Sequence, residues 1–315
     1  MRFRTGLCVL AALIAAVSCS RLVSKGVVVD SSFVPFIPAG TKALAGVQIT
    51  KLQTAPLYRA HKEQLDFGQL QAFSERTGLD PTRDLSEILI TWDGKQFLAM
   101  ARGHFSQANV GPKLESLGAR RTPYKNYILF GDGRNSLVFM RDGLIVAGSS
   151  LAVRELIDGR DKSNAGIPPE LQQRLETIPK ADQLWGVSTG ALPVNGIAMR
   201  SDIDSALSNI VGYVNGAAIG IVLDTGIHLQ ADLTCISDPG AQRVRDALRG
   251  GIGLARLTTK DNQLELLRLY DSVRVDQENS TIRIRADIAP DLANTVFSYL
   301  PQMKNGAGRM LERVP

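Results

Sequence analysis

Ile88-Leu-Ile-Thr-Trp92, Asp93-Gly94, Lys95-Gln-Phe-Leu-Ala-Met-Ala101 is two β-strands joined by an Asp-Gly pair. Asp-Gly tolerates the positive φ of a tight hairpin turn, so the two strands must be antiparallel neighbours. Downstream, Tyr127-Ile-Leu-Phe130, Ser136-Leu-Val-Phe-Met140 and Leu144-Ile-Val-Ala147 follow as three more strands, with Asp132-Gly133 and Asp142-Gly143 in the turns between them. Upstream, Ala43 to Ile49 lies between Gly40 and Pro56 and reads as a buried strand.

Helices fill the gaps. One starts at Ala55 with Pro56 in its first turn and Leu57, Tyr58, Ala60 and Leu65 on its apolar side. A second runs from Gln69 and stops at Gly78. Ser106 can cap a third through about Leu117, its start delayed by Gly111-Pro112. Ser149 or Ser150 caps a fourth, whose face is Leu151, Val153, Leu156 and Ile157. Residues 161–183 then turn polar, with Pro168-Pro169 opening a short helix (Leu171, Leu175, Ile178), and are expected to form a linker.

After this linker the same order of elements runs again. Leu184-Trp-Gly-Val-Ser188 is a strand, Asp202 to Val214 a helix, and Ile219 to Leu233 a hairpin around Asp224-Thr-Gly226. Asp238-Pro239 opens a helix as N-cap and first residue, carrying Val244, Leu248 and Ile252 and weakened by Gly250, Gly251 and Gly253. A further helix (Leu264, Leu267), two strands (Ser272 to Val275, Ser280 to Ala286) and a helix from Pro290 complete it. The expected fold class is α+β, with two similar units, 43–160 and 184–301, each an antiparallel sheet with helices on one face. Residues 19–42, with Pro35, Pro38 and Gly40, are expected to be a tether, and 302–315 a tail.

The N-terminus sets the location. Arg2 and Arg4 precede an apolar run from Leu7 to Val17 that breaks at small residues, the order of a secretory signal occupying residues 1–18. At eleven residues the run is shorter than the roughly 20 a spanning helix needs. Ala16-Val17-Ser18-Cys19 resembles the lipobox of bacterial lipoproteins, although the family usually carries Leu where Ala16 stands. The resemblance implies that Cys19 is lipidated and becomes the mature N-terminus, and Ser20 after it goes with sorting to the outer membrane. Ala16-x-Ser18 also fits an ordinary secretion site, leaving the chain soluble in the periplasm or secreted. Across roughly residues 40 to 300, Gly78-Leu-Asp-Pro-Thr-Arg-Asp84, Trp92-Asp-Gly-Lys95 and Val146-Ala-Gly148 are similar in pattern to a group of exported bacterial proteins with two tandem α+β units. That likeness implies no activity.

Composition is that of a globular chain, 44% hydrophobic and 21% charged. The formal charge of +5 falls by two when Arg2 and Arg4 leave with the leader, too small an excess for a nucleic-acid binder. Cys8 leaves with the leader, and Cys235 within Leu233-Thr-Cys-Ile236 reads as a small buried hydrophobe. If Cys19 carries no lipid, a disulfide to Cys235 is open.

Motifs for chemistry are weak. Gly186-Val-Ser188-Thr-Gly190 matches a nucleophile elbow, but Pro193 and Gly196 follow where a helix is required. The base would be His228, with Asp224 or Asp232 beside it. His61, His104 and His228 fall on three different elements, giving no metal pair, and no phosphate loop or cofactor motif is present. Arg120, Arg121 and Lys125 form one basic cluster in a loop. Arg283 and Arg285 form another, alternating with Ile282 and Ile284 as on a half-exposed strand. Either cluster could lean on anionic headgroups or an acidic partner. The expectation is therefore a non-catalytic cell-envelope lipoprotein with a binding or scaffold role, its partners the membrane and an envelope protein or hydrophobic ligand. A carrier of lipid and a hydrolase using Ser188 are the alternatives.

Overall fold

The structure, a computed structural model, describes residues 26–62, 80–159, 165–190, 210–260 and 262–295. The leader with Cys19, the helix from Gln69, the segment after Gly190 with most of the helix from Asp202, and the tail lie outside the described residues.

In chain order the strands are β1 (Ala43–Val47), β2 (Leu85–Trp92), β3 (Phe97–Gly103), β4 (Arg120–Tyr124), β5 (Tyr127–Gly131) and β6 (Asn135–Arg141). They continue as β7 (Leu144–Ser149), β8 (Leu184–Thr189), β9 (Val214–Leu223), β10 (Ile227–Cys235), β11 (Val273–Glu278) and β12 (Thr281–Ile288). The helices are α1 (Ile49–Thr54), α2 (Pro56–His61), α3 (Pro81–Asp84), α4 (Gln107–Ser116), α5 (Ser150–Gly159), α6 (Pro169–Leu175), α7 (Asp238–Thr258) and α8 (Leu264–Asp271). Among the described residues, no helix is long and apolar enough to cross a membrane.

The hairpin that anchors the sequence reading forms between β2 and β3, with Trp92 opposite Phe97 and Gly94 at φ 106°. Asp93 Oδ1 accepts the Lys95 and Gln96 amides at 2.7 and 2.8 Å, which locks the turn. All strands join one twelve-stranded antiparallel sheet in the order β11-β12-β10-β9-β8-β1-β2-β3-β7-β6-β5-β4. A separate sheet for each half was expected. Instead β1 pairs with β8, Leu44 opposite Val187 and Gly46 opposite Trp185. An edge strand left open in either half would expose a row of unpaired backbone groups, and the pairing removes both edges. Glycine is required at position 46, because a Cβ there would come within 2.2 Å of the Trp185 ring.

Each face is covered differently. On the first, Leu44, Leu89, Met100, Val138, Val146 and Trp185 pack under residues 26–37, α5 and α6. Residues 26–37 were expected to be part of a tether, but Val27, Phe33 and Ile37 are at most 1% exposed and the segment lies across the sheet as a strap. Gly26 bridges to Pro179, and the Val27 amide donates to the Ile178 carbonyl at 2.9 Å. The short helix of the expected linker is likewise a core element, with Leu171 and Leu175 fully buried. Its polar flanks had concealed that. On α5, Val153, Leu156 and Ile157 face inward as expected, but Ala152 takes the place expected of Leu151, which is exposed, and Ser149 Oγ accepts the Ala152 amide at 3.1 Å as the expected cap.

The second face carries α4 at one end, where Phe105 and Val110 meet Phe130, Phe139 and Ile145. At the other end α7 sets Ala241 and Val244 against Leu233, Cys235, Val275 and Ile282. Cys235 is buried as expected, and burial pushes its thiol pKa up. Two helix starts differ from expectation. Ser237, not Asp238, caps α7 by accepting the Gly240 amide at 3.2 Å, and α4 begins at Gln107 with Pro112 inside it. Arg120 to Tyr124, read as loop, is the edge strand β4. It shows no apolar alternation because four of its five residues are exposed, and Pro123 is tolerated at an edge.

Candidate functional site

Sheet register brings together what the sequence kept apart. On the second face one cross-strand row runs Gly186, Ala45, Ile90, Ala99, Ala147, Leu137, Phe130 from β8 to β5. Every member is apolar, and Gly186, Ala45, Ala99 and Ala147 are small. Ala45, Ile90 and Ala99 are exposed, lying between the areas covered by α4 and α7. Next to them a trough of about 620 Å³ opens, lined by Phe97, Ala99, Leu117, Ala119, Leu137 and Ala147, with Asp132 and Asn135 at its end. Phe97 is 52% exposed although its ring stacks on Trp92 at 6.0 Å between centroids. The trough is shallow and largely open to solvent, and its wall is hydrophobic with Asp132 and Asn135 among its polar groups. Sequence reasoning missed it, since the signal is the alignment of residues from seven strands.

The two basic clusters are not brought together. β4 and β12 stand ten strand spacings apart, roughly 50 Å. Lys125 occupies the β4–β5 turn at φ 51° and pairs with Asp158 at 2.6 Å, while the Tyr124 hydroxyl donates to the same carboxylate at 2.8 Å and Arg154 lies over its ring. Lys125 is thus part of a structural knot between β4 and α5. Arg120 and Arg121 are exposed on the edge strand and, as successive strand residues, point to opposite faces. Arg283 and Arg285 are exposed, with Ile282 buried, in agreement with the alternation. Arg283 pairs with Glu278 at 2.6 Å and with Asp232 at 3.8 Å, so its charge is largely answered.

Ser188 is 2% exposed near the C-terminal end of β8, and its hydroxyl has no hydrogen-bond partner. It faces Ala217 of β9, whereas His228 faces Val222, five residues along the same strand. That is about 17 Å, and an odd offset puts the two side chains on opposite faces. The Ser188–His228 pair of a hydrolase is therefore not assembled. His228 is instead bracketed by Asp287 at 2.9 Å and Asp224 at 3.4 Å, and the hydrogen bond to Asp287, with both negative charges, raises its pKa. A fluorophosphonate probe is expected to leave Ser188 unlabelled. Ser188→Ala, which removes an orphaned hydroxyl, should change stability by less than about 1 kcal/mol in a denaturant melt.

Two buried carboxyls on the strap face were not singled out in the sequence. Glu87 on β2 is 6% exposed, and burial followed by the charge of Asp30 pushes its pKa up to about 7. Asp182, just before β8, is 2% exposed, and burial raises it to about 6. Only their tertiary burial distinguishes them from surface acids.

No family model and no curated protein matches the chain. Solved structures that resemble it include TP0453 in crystal form III, with a TM-score of 0.48 and 9% identity over 84% of this chain and 97% of that one. Crystal form I of TP0453 gives 0.45 and 9% over 86% and 98%. The described structure is α+β with a large antiparallel sheet.

Proposed function

We propose that this is an exported cell-envelope protein, fastened to a membrane through a lipid on Cys19, that binds an apolar partner in the trough of the second face and performs no catalysis. The observation that carries the binding role is the uninterrupted apolar row from Gly186 to Phe130, open at Ala45, Ile90 and Ala99. The leader, Arg2 to Cys19, supports export and anchoring. We further propose that the two halves are related units. In support, the hairpins β2–β3 and β9–β10 follow β1 and β8 outward from the shared seam, and β7–β6 and β12–β11 take the next two places on either side. On this reading β4 and β5 are an addition to the first half.

Carriage of a lipid or another hydrophobic ligand is the second reading, favoured by the apolar wall formed by Phe97, Leu117 and Leu137. Ala99 is exposed, so Ala99→Lys puts a charge into the trough without disturbing the core. In a pull-down from detergent-solubilised envelope, followed by native mass spectrometry, the variant should retain at least tenfold less of what the wild type captures. A co-purified lipid lost in the variant selects the carrier, and a lost protein selects the scaffold. Equal capture by both forms ends the trough reading. The mass of the mature N-terminus tests the anchor separately, an unmodified Cys19 or a different start refuting it.

A further inference from the structure

Residues 26–37 close over the strap face through an apolar contact and a charged one. Val27, Val29, Phe33, Phe36 and Ile37 supply the first. The second is at Asp30, where Oδ2 meets Arg102 Nη2 of β3 at 3.2 Å and Oδ1 accepts the Ser32 amide at 2.8 Å. Glu87 lies beneath this point. Its Oε2 is 4.0 Å from the same guanidinium nitrogen, the Asp30 amide donates to its carboxylate, which partly offsets the burial, and its Oε1 is buried with no hydrogen-bond partner.

One guanidinium therefore faces two carboxylates. The other charged groups acting here are Lys51 of α1, whose Nζ is engaged by the Lys180 carbonyl, and Arg141, which acts on Asp30. Burial alone would raise the pKa of Asp30, but its bonds to Ser32 and the charge of Arg102 outweigh that and hold it below the usual value. Asp30 is thus the carboxylate that stays charged.

We propose that the strap is a proton-controlled lid: it seats while Glu87 carries a proton and loosens when Glu87 ionises. An ionised Glu87 would be a second buried anion beside Asp30, with one oxygen unbonded, and water reaches it most directly by lifting the segment that carries Asp30.

The sign follows from linkage. A seated strap holds Glu87 at about 7, against 4.5 for the solvated group. Seating is therefore fully favoured below pH 4.5, weakens as pH rises to 7 and levels off above it. Between pH 5 and 7.5 the opening equilibrium should rise on the order of fiftyfold. If the lipid anchor proposed above holds, a seated strap leaves six residues, 20–25, between Cys19 and the body, a reach of about 20 Å. A released strap leaves everything up to Ala43, about 80 Å, so protonation would set how far the body stands from the membrane.

The lid itself is tested without the anchor, by hydrogen exchange on the purified full chain in detergent, corrected for intrinsic rates. Protection at the Val27, Phe33 and Phe36 amides should fall on the order of fiftyfold from pH 5 to 7.5, while the β1–β8 amides keep theirs. Glu87→Gln should flatten the strap profile. PH-independent strap protection in the wild type overturns the proposal with no variant needed, as does an equal drop at strap and seam, or a drop that persists in Glu87→Gln. None of these results bears on whether Cys19 is lipidated.

Discussion

Trp185→Ala is expected to lower stability by about 3 kcal/mol, and to shift one unfolding transition for the whole sheet rather than split off one half. Trp185 is 4% exposed and fills the space over Gly46 at the β1–β8 seam. Emptying a buried tryptophan site typically costs about 3–5 kcal/mol. The low end applies because the indole N–H has no partner, so its removal also relieves an unsatisfied donor. Trp185→Phe keeps most of the ring without that donor and should cost about 1 kcal/mol. Gly46→Ala in the wild type forces a methyl into the indole and should be comparably damaging, yet nearly harmless in the Trp185→Ala background. Denaturant melts followed in both halves read all of these. Two separate transitions, with only one moved by Trp185→Ala, would mean that the shared seam does not couple the halves.

Asp182→Asn is expected to stabilise the protein by about 2 kcal/mol at pH 8 and to do nothing near pH 3.5. Asp182 sits on the strap face with Oδ2 unpartnered and pressed toward Gly220, where a Cβ would meet it at 1.8 Å. Burial raises its pKa from 3.8 to about 6, a shift that Gln230 and Lys51 only moderate. A raised carboxyl contributes its stability below the unfolded value and loses it as pH climbs to the folded one. The wild type should therefore weaken between pH 4 and 6 at this site, and the amide should erase that slope. A loss of stability at pH 8 in Asp182→Asn would show that attraction to Lys51 outweighs desolvation.

The local features were legible because their causes lie within a few residues. Asp93-Gly94 fixed a hairpin, Ser106 and Ser149 cap the helices they precede, and the alternation at Ile282 to Arg285 gave the inward and outward sides of β12. Failures came where a partner far along the chain decides. The segment 26–37 looks like a linker because Pro35, Pro38 and Gly40 break any period, yet its five buried apolar side chains close the core. β4 has no strand signal of its own and is held by β5. The trough was invisible, since no single strand contains more than one of its lining alanines.

By itself the sequence determined an α+β chain rich in antiparallel hairpins and most of its helix and turn positions. Those properties follow from backbone preferences and hydrophobic spacing, which act over a turn or a strand. Only the tertiary structure decided that the halves share one sheet, that residues 26–37 pack across it as part of the core, that Ser188 and His228 lie on opposite faces, and that burial raises the pKa of Glu87 and Asp182. Each depends on which distant backbone satisfies an open strand edge and on which side chains water can reach, and neither is encoded in any short stretch.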